Sequence, residues 1–383
     1  MHVVLIGCGF HGRGIAYELA EANEVTQVTV LDRDSALARG VAQKLGANWH
    51  AVEAQDTNAL CAAIRGADMV FNGIGPYHYR RNALCVVEAA IREKVAYVDM
   101  NDDHEPAEAL FLDPQWNKAA VEAGIPIITG TGIAPGVSAM LGKLGYEQLE
   151  NPTSIDIWFS WNYSLQYPAA LHHFFRINSG LAPQYIDGRY VRPGAFAGRE
   201  SVEFLAPVGT KEVWYTGIID PVSVSCSLPG LQRVTAKGAY HQSEANQLLE
   251  AMTRWGFTRY DAVPGNEDSP FEFMMKFLVS EAGKDIFNIP SQDAPMGVRV
   301  QVTDDQAGDC VIYQAQDFSR RGTTSAAARV ALMLIRGEIE FCGVRAPEGC
   351  VDARRFLSEL STHPDIKLFS HDEHAVPQPL CFN

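Results

Sequence analysis

Along the first 130 residues, short apolar β-branched runs alternate with amphipathic stretches of helical length. Val3-Val4-Leu5-Ile6 and Val28-Thr29-Val30-Leu31 are the first two such runs, followed by predicted helices over Gly12–Ala22 and Ala36–Leu45. Further strand-like runs lie at Trp49–Glu53, Met69–Asn72, Ala96–Met100 and Ile125–Thr129, with helices predicted at Thr57–Arg65, Arg80–Glu93 and Gln115–Ala123. Strands separated by helices of this length predict βαβ units and a parallel sheet buried on both faces.

The pattern changes near residue 150. Ser154–Ser160, Val213–Ile219 and Val222–Cys226 alternate as half-buried strands, and Gly297–Val302 with Asp309–Tyr313 predicts a hairpin. Gly188, Pro193-Gly194 and Pro229-Gly230 punctuate the region, which reads as an antiparallel α+β domain. Helical periodicity returns at Ala326–Ile335, behind the hydroxyl caps Thr323-Thr324-Ser325, and again at Asp352–Leu360. The expected architecture is α/β: a Rossmann doubly wound parallel sheet from residues 1–130 and 323–383, with an α+β antiparallel-sheet domain, 131–322, inserted between them.

Composition narrows the class. A formal charge of −15 over 383 residues argues against a nucleic-acid surface, because phosphate neutralisation needs clustered Lys and Arg. The eight cysteines form no CxxC pair and no metal-ligand spacing, which suits reduced thiols. The first strand starts at His2, leaving no room for a secretory leader, and Ala326–Ile335 is too short to span a bilayer. A cytoplasmic location without membrane attachment is expected.

The chemistry centres on Gly7-Cys8-Gly9-Phe10-His11-Gly12. It follows a strand, opens a helix, and is followed by Asp32 at the end of the next strand, the context that makes a GxGxxG a dinucleotide fingerprint. Asp32 would accept the adenosine ribose hydroxyls and favour NAD, whereas Arg33 beside it could face the 2′-phosphate of NADP. Asp56 is either an adenine contact or a helix cap. Asn72, Gly73, Gly75 and Pro76 end the fourth strand, where the inner ribose and nicotinamide should lie, and Asp99 ends the fifth as a substrate contact or a loop cap. Thr131, Pro135 and Gly136 lie in the Gly130–Ser138 junction, which is either a carboxylate pocket at a helix N-terminus or a rigid hinge. His172-His173 are adjacent and point apart, His371-Asp372-Glu373-His374 reads as a solvated tail, and no HExxH is present, so no metal is expected.

These residues together resemble the saccharopine dehydrogenase-like oxidoreductases: the fingerprint with Asp32-Arg33, Asn-Gly-Ile-Gly-Pro-Tyr at 72–77, Tyr97-Val98-Asp99, Gly-Ile-Ala-Pro-Gly at 132–136 and Gly343-Val344-Arg345-Ala346-Pro347-Glu348. Length and middle region are most similar to the lysine 6-dehydrogenase branch. The resemblance implies a Rossmann domain completed by the last helices, a homodimer, and hydride transfer between NAD(P) and the amine-bearing carbon of an amino-acid or opine-like substrate. Where relatives carry Thr-x-Arg-Tyr-x-Gly-His, this chain reads Thr235-Ala236-Lys237-Gly238-Ala239-Tyr240-His241. Lys237 cannot make a bidentate carboxylate clamp, and the aromatic segments Trp158–Tyr167 and Leu171–Phe175 suggest a bulkier or less charged substrate.

The reaction needs a group to take the amine proton. His241 is the first candidate, against the alternative of a histidine bonded within the sheet; Asp99 is second, with Tyr77 as a proton carrier. Lys237 and Arg176, with helix N-termini, are the groups expected to hold an anionic substrate. A dehydrogenase acting on C–O bonds and a non-catalytic dinucleotide-binding protein remain as other readings, because a Rossmann domain does not choose its chemistry.

Overall fold

The computed structural model describes every residue except 79–80, 163–166, 262, 266, 284–294, 320, 373–374 and 383. Arg80 at the start of the fourth predicted helix, residues 163–166 of the aromatic segment and Glu373-His374 therefore lie outside the described residues.

The first domain runs β1 (His2–Ile6), α1 (Phe10–Glu21), β2 (Gln27–Asp32), α2 (Ser35–Leu45), β3 (Asn48–Ala51), α3 (Thr57–Ile64), β4 (Met69–Asn72), α4 (Asn82–Glu93), β5 (Ala96–Asp99), α5 (His104–Leu112), α6 (Pro114–Ala123) and β6 (Pro126–Ile128). A kinked turn at 133–137 leads into α7 (Ser138–Gln148), β7 (Ser154–Trp161), α8 (Pro168–Ser179), β8 (Gln184–Ile186), β9 (Arg189–Val191), β10 (Glu200–Glu203), β11 (Thr210–Tyr215), α9 (Asp220–Ser227), β12 (Arg233–Tyr240), α10 (Ser243–Arg254) and α11 (Pro270–Leu278). The chain closes with β13 (Met296–Asp304), β14 (Asp309–Asp317), α12 (Gly322–Ile335), β15 (Gly343–Arg345), α13 (Ala353–Ser361), β16 (Ile366–His371) and β17 (Gln378–Pro379).

The first sheet has the order β15-β6-β5-β4-β1-β2-β3, with every pair parallel. This is the doubly wound arrangement with its switch point between β1 and β4. β1 and β4 are buried almost without exception, as a sheet covered by helices on both faces requires. α12 packs against α1, and β15 adds a seventh strand beside β6.

The second sheet runs β10-β11-β12-β7-β13-β14-β16-β17, with the β8–β9 pair attached to β12. It is mixed rather than antiparallel, because β12 joins β7 in parallel register, Lys237 opposite Trp158. The reason is the connection: helices and the short β8–β11 strands intervene between β7 and β12, long enough for a crossover instead of a hairpin. Val222–Cys226 lies in α9, not in a strand; alternation over five residues cannot separate the two, and Pro221 opens the helix. β16 pairs with β14, so the tail beyond residue 366 joins the second sheet, not the first. α7 lies on one face of the second sheet at close range: a Cβ on Gly145 would come within 2.6 Å of Val302 Cγ2, and one on Gly142 within 3.2 Å of Ile155 Cγ2. Among the described residues, no helix is long and apolar enough to cross a membrane.

Candidate functional site

The glycine-rich turn leaves β1 at the switch point. Gly7 has φ +89° and a Cβ there would sit 2.8 Å from the backbone of Gly73, so the turns after β1 and β4 touch. Gly9 differs: a Cβ would meet nothing within 4 Å, and it caps α1 without a side-chain bond. Uncapped N–H groups at the start of α1, above an open glycine, fit the approach of a pyrophosphate. Cys8 is buried, with its thiol pushed up to about 12 by burial and by Asp32, so it serves as packing rather than as a nucleophile. Its N–H donates to Asp32 Oδ2 at 2.7 Å, and Asp34 N–H donates to Oδ1 at 2.9 Å. The Asp32 carboxylate is thereby held beside the turn at the end of β2, while Arg33 is exposed. Asp56 accepts from Ala59 N–H at 3.0 Å and is a helix cap.

Several residues expected to touch ligands are instead enclosed scaffold. Asn72 is fully buried and shapes its turn, donating to Asn82 O and Tyr97 Oη and accepting from Ile74 N–H at 3.1 Å. Asp99 is 0% exposed and accepts from Tyr97 Oη at 2.7 Å, Asn101 N–H at 3.0 Å and Gly130 N–H at 2.9 Å. Burial pushes its carboxyl up to about 6, against the pull of those donors. Thr131 donates to Asp99 O at 2.6 Å and is likewise buried, as are Pro135 and Gly136, so the junction is a hinge pinned to β5. At the start of α7 the expected carboxylate pocket is filled from within: Ser138 Oγ donates to Asp220 Oδ1 at 2.6 Å. Tyr77 is buried and donates to Asn72 O at 3.0 Å. Asp99 is thus the loop cap and the junction the rigid hinge of the two alternatives weighed for each, while Asn72 and Tyr77 are enclosed by neighbouring elements that the sequence does not reveal.

The expected cations are also spent. Arg176 pairs with Glu105 and lies 4.8 Å from the Tyr260 ring centroid. Lys237 pairs with Glu200 at 2.9 Å, and its register opposite Trp158 puts it on the sheet face turned away from α7. His241 stands just past β12, its N–H donating to Trp161 O at 2.6 Å and its carbonyl accepting from Lys211 Nζ at 3.2 Å.

What the fold assembles beyond β4 and β5 is a chain of imidazoles and carboxylates. His173 on α8 has Nε2 2.8 Å from Asp102 Oδ2 and Nδ1 3.1 Å from Asp103 Oδ1. His78 Nδ1 lies 2.9 Å from Asp103 Oδ2, which also accepts the Tyr77 and His78 N–H groups at 2.8 and 3.1 Å. The His172 ring stands 5.1 Å from that of His78 and edge-on to Phe271 at 4.7 Å. Burial opposes a charge on His173, but the two carboxylates win and raise it to about 10, an imidazolium at neutral pH. His11 and His172 go the other way, to about 4, chiefly through burial, with neighbouring imidazoles adding to the effect. Asp103 is held well below its ordinary value, burial being overcome by the bonds from His173 and His78.

Asp102, Asp103 and His173 offer ligand atoms within 4.8 Å of one another. Both ring nitrogens already face carboxylate oxygens, however, and a doubly protonated ring has no lone pair for a metal. The arrangement is an ion-paired relay. The roof is α8: Ala169 Cβ lies 4.0 Å from a Cβ built on Gly75, and Tyr167 meets Phe10 of the glycine turn at 5.0 Å. In the sequence, the signal for this cluster was the acidic run Asp99-Met100-Asn101-Asp102-Asp103 at a strand's carboxyl end. Its partners on α8 lie seventy residues away, and no local pattern joins them.

Comparison with known proteins agrees with the dinucleotide-binding domain and the overall fold. Residues 3–129 match the family model described as saccharopine dehydrogenase NADP binding domain. A curated relative, saccharopine dehydrogenase [NADP(+), L-glutamate-forming] of Saccharomyces cerevisiae, is 31% identical over 136 residues, 36% of this chain and 28% of the relative. The aligned stretch thus spans well under half of either chain. Among solved structures, the apo saccharopine dehydrogenase (L-Glu forming) of Saccharomyces cerevisiae superposes with TM-score 0.66 at 16% identity, covering 97% of this chain and 99% of that one. The homospermidine synthase of Legionella pneumophila in complex with NAD gives 0.64 at 12% identity, covering 98% and 92%. At these identities the structural likeness carries the fold alone.

Proposed function

Starting from a chain whose N-terminal domain belongs to the saccharopine dehydrogenase NADP-binding family and whose whole length has that fold, we propose an NAD(P)-dependent oxidoreductase acting on a carbon–nitrogen bond. The observation that carries the reading is the His78–Asp103–His173–Asp102 chain, set beyond the carboxyl ends of β4 and β5, where a nicotinamide bound to the Gly7–Gly12 turn would end. Bound nicotinamide would supply the hydride acceptor. The amine-bearing carbon gives up the hydride and its nitrogen a proton, leaving an iminium; water then replaces the nitrogen to release carbonyl compound and ammonium. Run backwards, with an amine in place of ammonium, the same steps join two molecules.

The protein's part is proton traffic and orientation. His78 Nδ1 lies 2.9 Å from Asp103 Oδ2, and both of its ring nitrogens are enclosed with no well-formed hydrogen bond among the described residues. An imidazole beside a carboxylate, with its ring nitrogens unclaimed, is a group that can receive a proton. Asp103 is the positioning residue, tying the 73–78 turn to α8. Asp32 supports NAD over NADP, since its carboxylate opposes a 2′-phosphate.

Hydride transfer measured over a panel of amines and amino acids with NAD and NADP tests the class. His78→Gln should lower kcat by about a hundredfold or more while leaving cofactor affinity intact. If His241→Ala does this and His78→Gln does not, the proton goes to the end of β12 instead.

A further inference from the structure

We propose that this cleft takes an aliphatic amine bearing a second ammonium group and no carboxylate, a diamine or polyamine, in place of an amino acid. The proposal rests on the reading above, that the cleft oxidises a carbon–nitrogen bond.

Among the described residues, each group expected from the sequence to hold a substrate carboxylate already holds a carboxylate of the protein. Arg176 is on Glu105, and Lys237 is on Glu200 on the far face of the sheet. Ser138, opening α7, is on Asp220, and Gly130 N–H at the junction is on Asp99. The one imidazolium in the relay, His173, is shared by Asp102 and Asp103, which leaves the group with one negative charge in excess. Of that pair Asp103 is fully enclosed, whereas the Asp102 side chain keeps 30% of its surface. Asp102 is therefore the carboxylate within reach of a substrate's second ammonium, and such a charge-assisted bond is among the stronger polar contacts available.

Two independent observations point to a ligand here. His11 Nδ1 and His78 Nε2 are enclosed without hydrogen-bond partners among the described residues, and a cleft holding them has polar groups still to satisfy. Phe10 and Tyr167, each more than a third exposed, meet at 5.0 Å with their ring planes tilted by 34° where α8 begins. Such rings accept methylene chains and cations, and the Arg13 guanidinium already lies 5.6 Å from the Phe10 ring centroid. The overall charge of −15 favours the approach of a cation and opposes that of a dicarboxylate.

The sharpest comparison uses two probes that differ only in the carboxylate, 1,5-diaminopentane and L-lysine, each assayed with NAD+ and with NADP+. In either case R–CH2–NH3+ yields a hydride to the nicotinamide and a proton to the protein, and the R–CH=NH2+ formed takes up water to give R–CHO and NH4+. The expected result is a kcat/KM for the diamine at least about tenfold above that for lysine. Asp102→Asn should raise the diamine KM about tenfold or more with a smaller change in kcat, and leave the lysine KM unchanged or lower. Titration of NAD+ into the variant confirms that its cofactor site is intact. Preference for lysine overturns the proposal and leaves the oxidoreductase reading standing, as does a diamine KM indifferent to Asp102→Asn. Absence of cofactor reduction with every amine and amino acid overturns both.

Discussion

Replacing His173 by glutamine isolates the electrostatics of the relay. In the folded chain the ring is enclosed between Asp102 and Asp103 and its pKa rises from 6.5 to about 10. The shift corresponds to about 5 kcal/mol of preference for the charged, folded form. Removing one partner of a buried charged group costs on the order of 3–5 kcal/mol, because the carboxylates left behind lose their cation. In a chain of this size that lowers Tm by roughly 4–6 °C. The folded protein holds the His173 proton more tightly than the unfolded chain does. Its contribution is therefore complete below about pH 6.5 and is lost progressively as pH rises through about 10. Thermal unfolding of wild type and His173→Gln from pH 6 to pH 10 should show a Tm gap that is widest at pH 6 and closes toward pH 10. Adding Asp103→Asn should recover part of the loss, since one carboxylate no longer lacks a partner. A gap that stays flat with pH, or a variant as stable as wild type, refutes the reasoning.

Three further outcomes follow from particular contacts. Gly9→Val should weaken NAD binding by about a hundredfold or more without lowering the Tm of the free protein, because the new side chain enters open space over the start of α1; binding titration and calorimetry check both halves. Gly238→Ala should destabilise by about 1–3 kcal/mol in denaturant unfolding, since its Cβ would collide with the fully buried Phe159 ring. Glu348 is buried and pushed from 4.5 up to about 7, so the folded state holds a proton that the unfolded chain releases between those values, and stability falls as pH rises through that window. Glu348→Gln should then be more stable than wild type by on the order of 1–3 kcal/mol at pH 8, with little difference at pH 4.

The fingerprint was legible because its requirements are local: a tight turn at Gly7, an open glycine at Gly9, an acid ending β2. The strand–helix alternation and the return of α12 to α1 rest on patterns just as local, hydrophobic period and capping. Short-range alternation failed at α9, where five residues fit either period, and at β12, whose parallel partner is set by the length of the crossover. The helix over His104–Leu112 also escaped notice, its apolar positions being interrupted by charge and proline.

The sequence by itself determined that this chain builds a dinucleotide-binding sheet, because backbone turns and helix periods are written in neighbouring residues. It could name Asp99, Thr131, Arg176 and Lys237 as polar groups near strand ends, but not which were already answered by Tyr97, Glu105 or Glu200. Only the tertiary structure decided that, and it placed the relay instead on Asp102, Asp103, His78 and His173. Enclosure and pairing are properties of distant segments brought together, and they settle which charges remain free to act on a ligand.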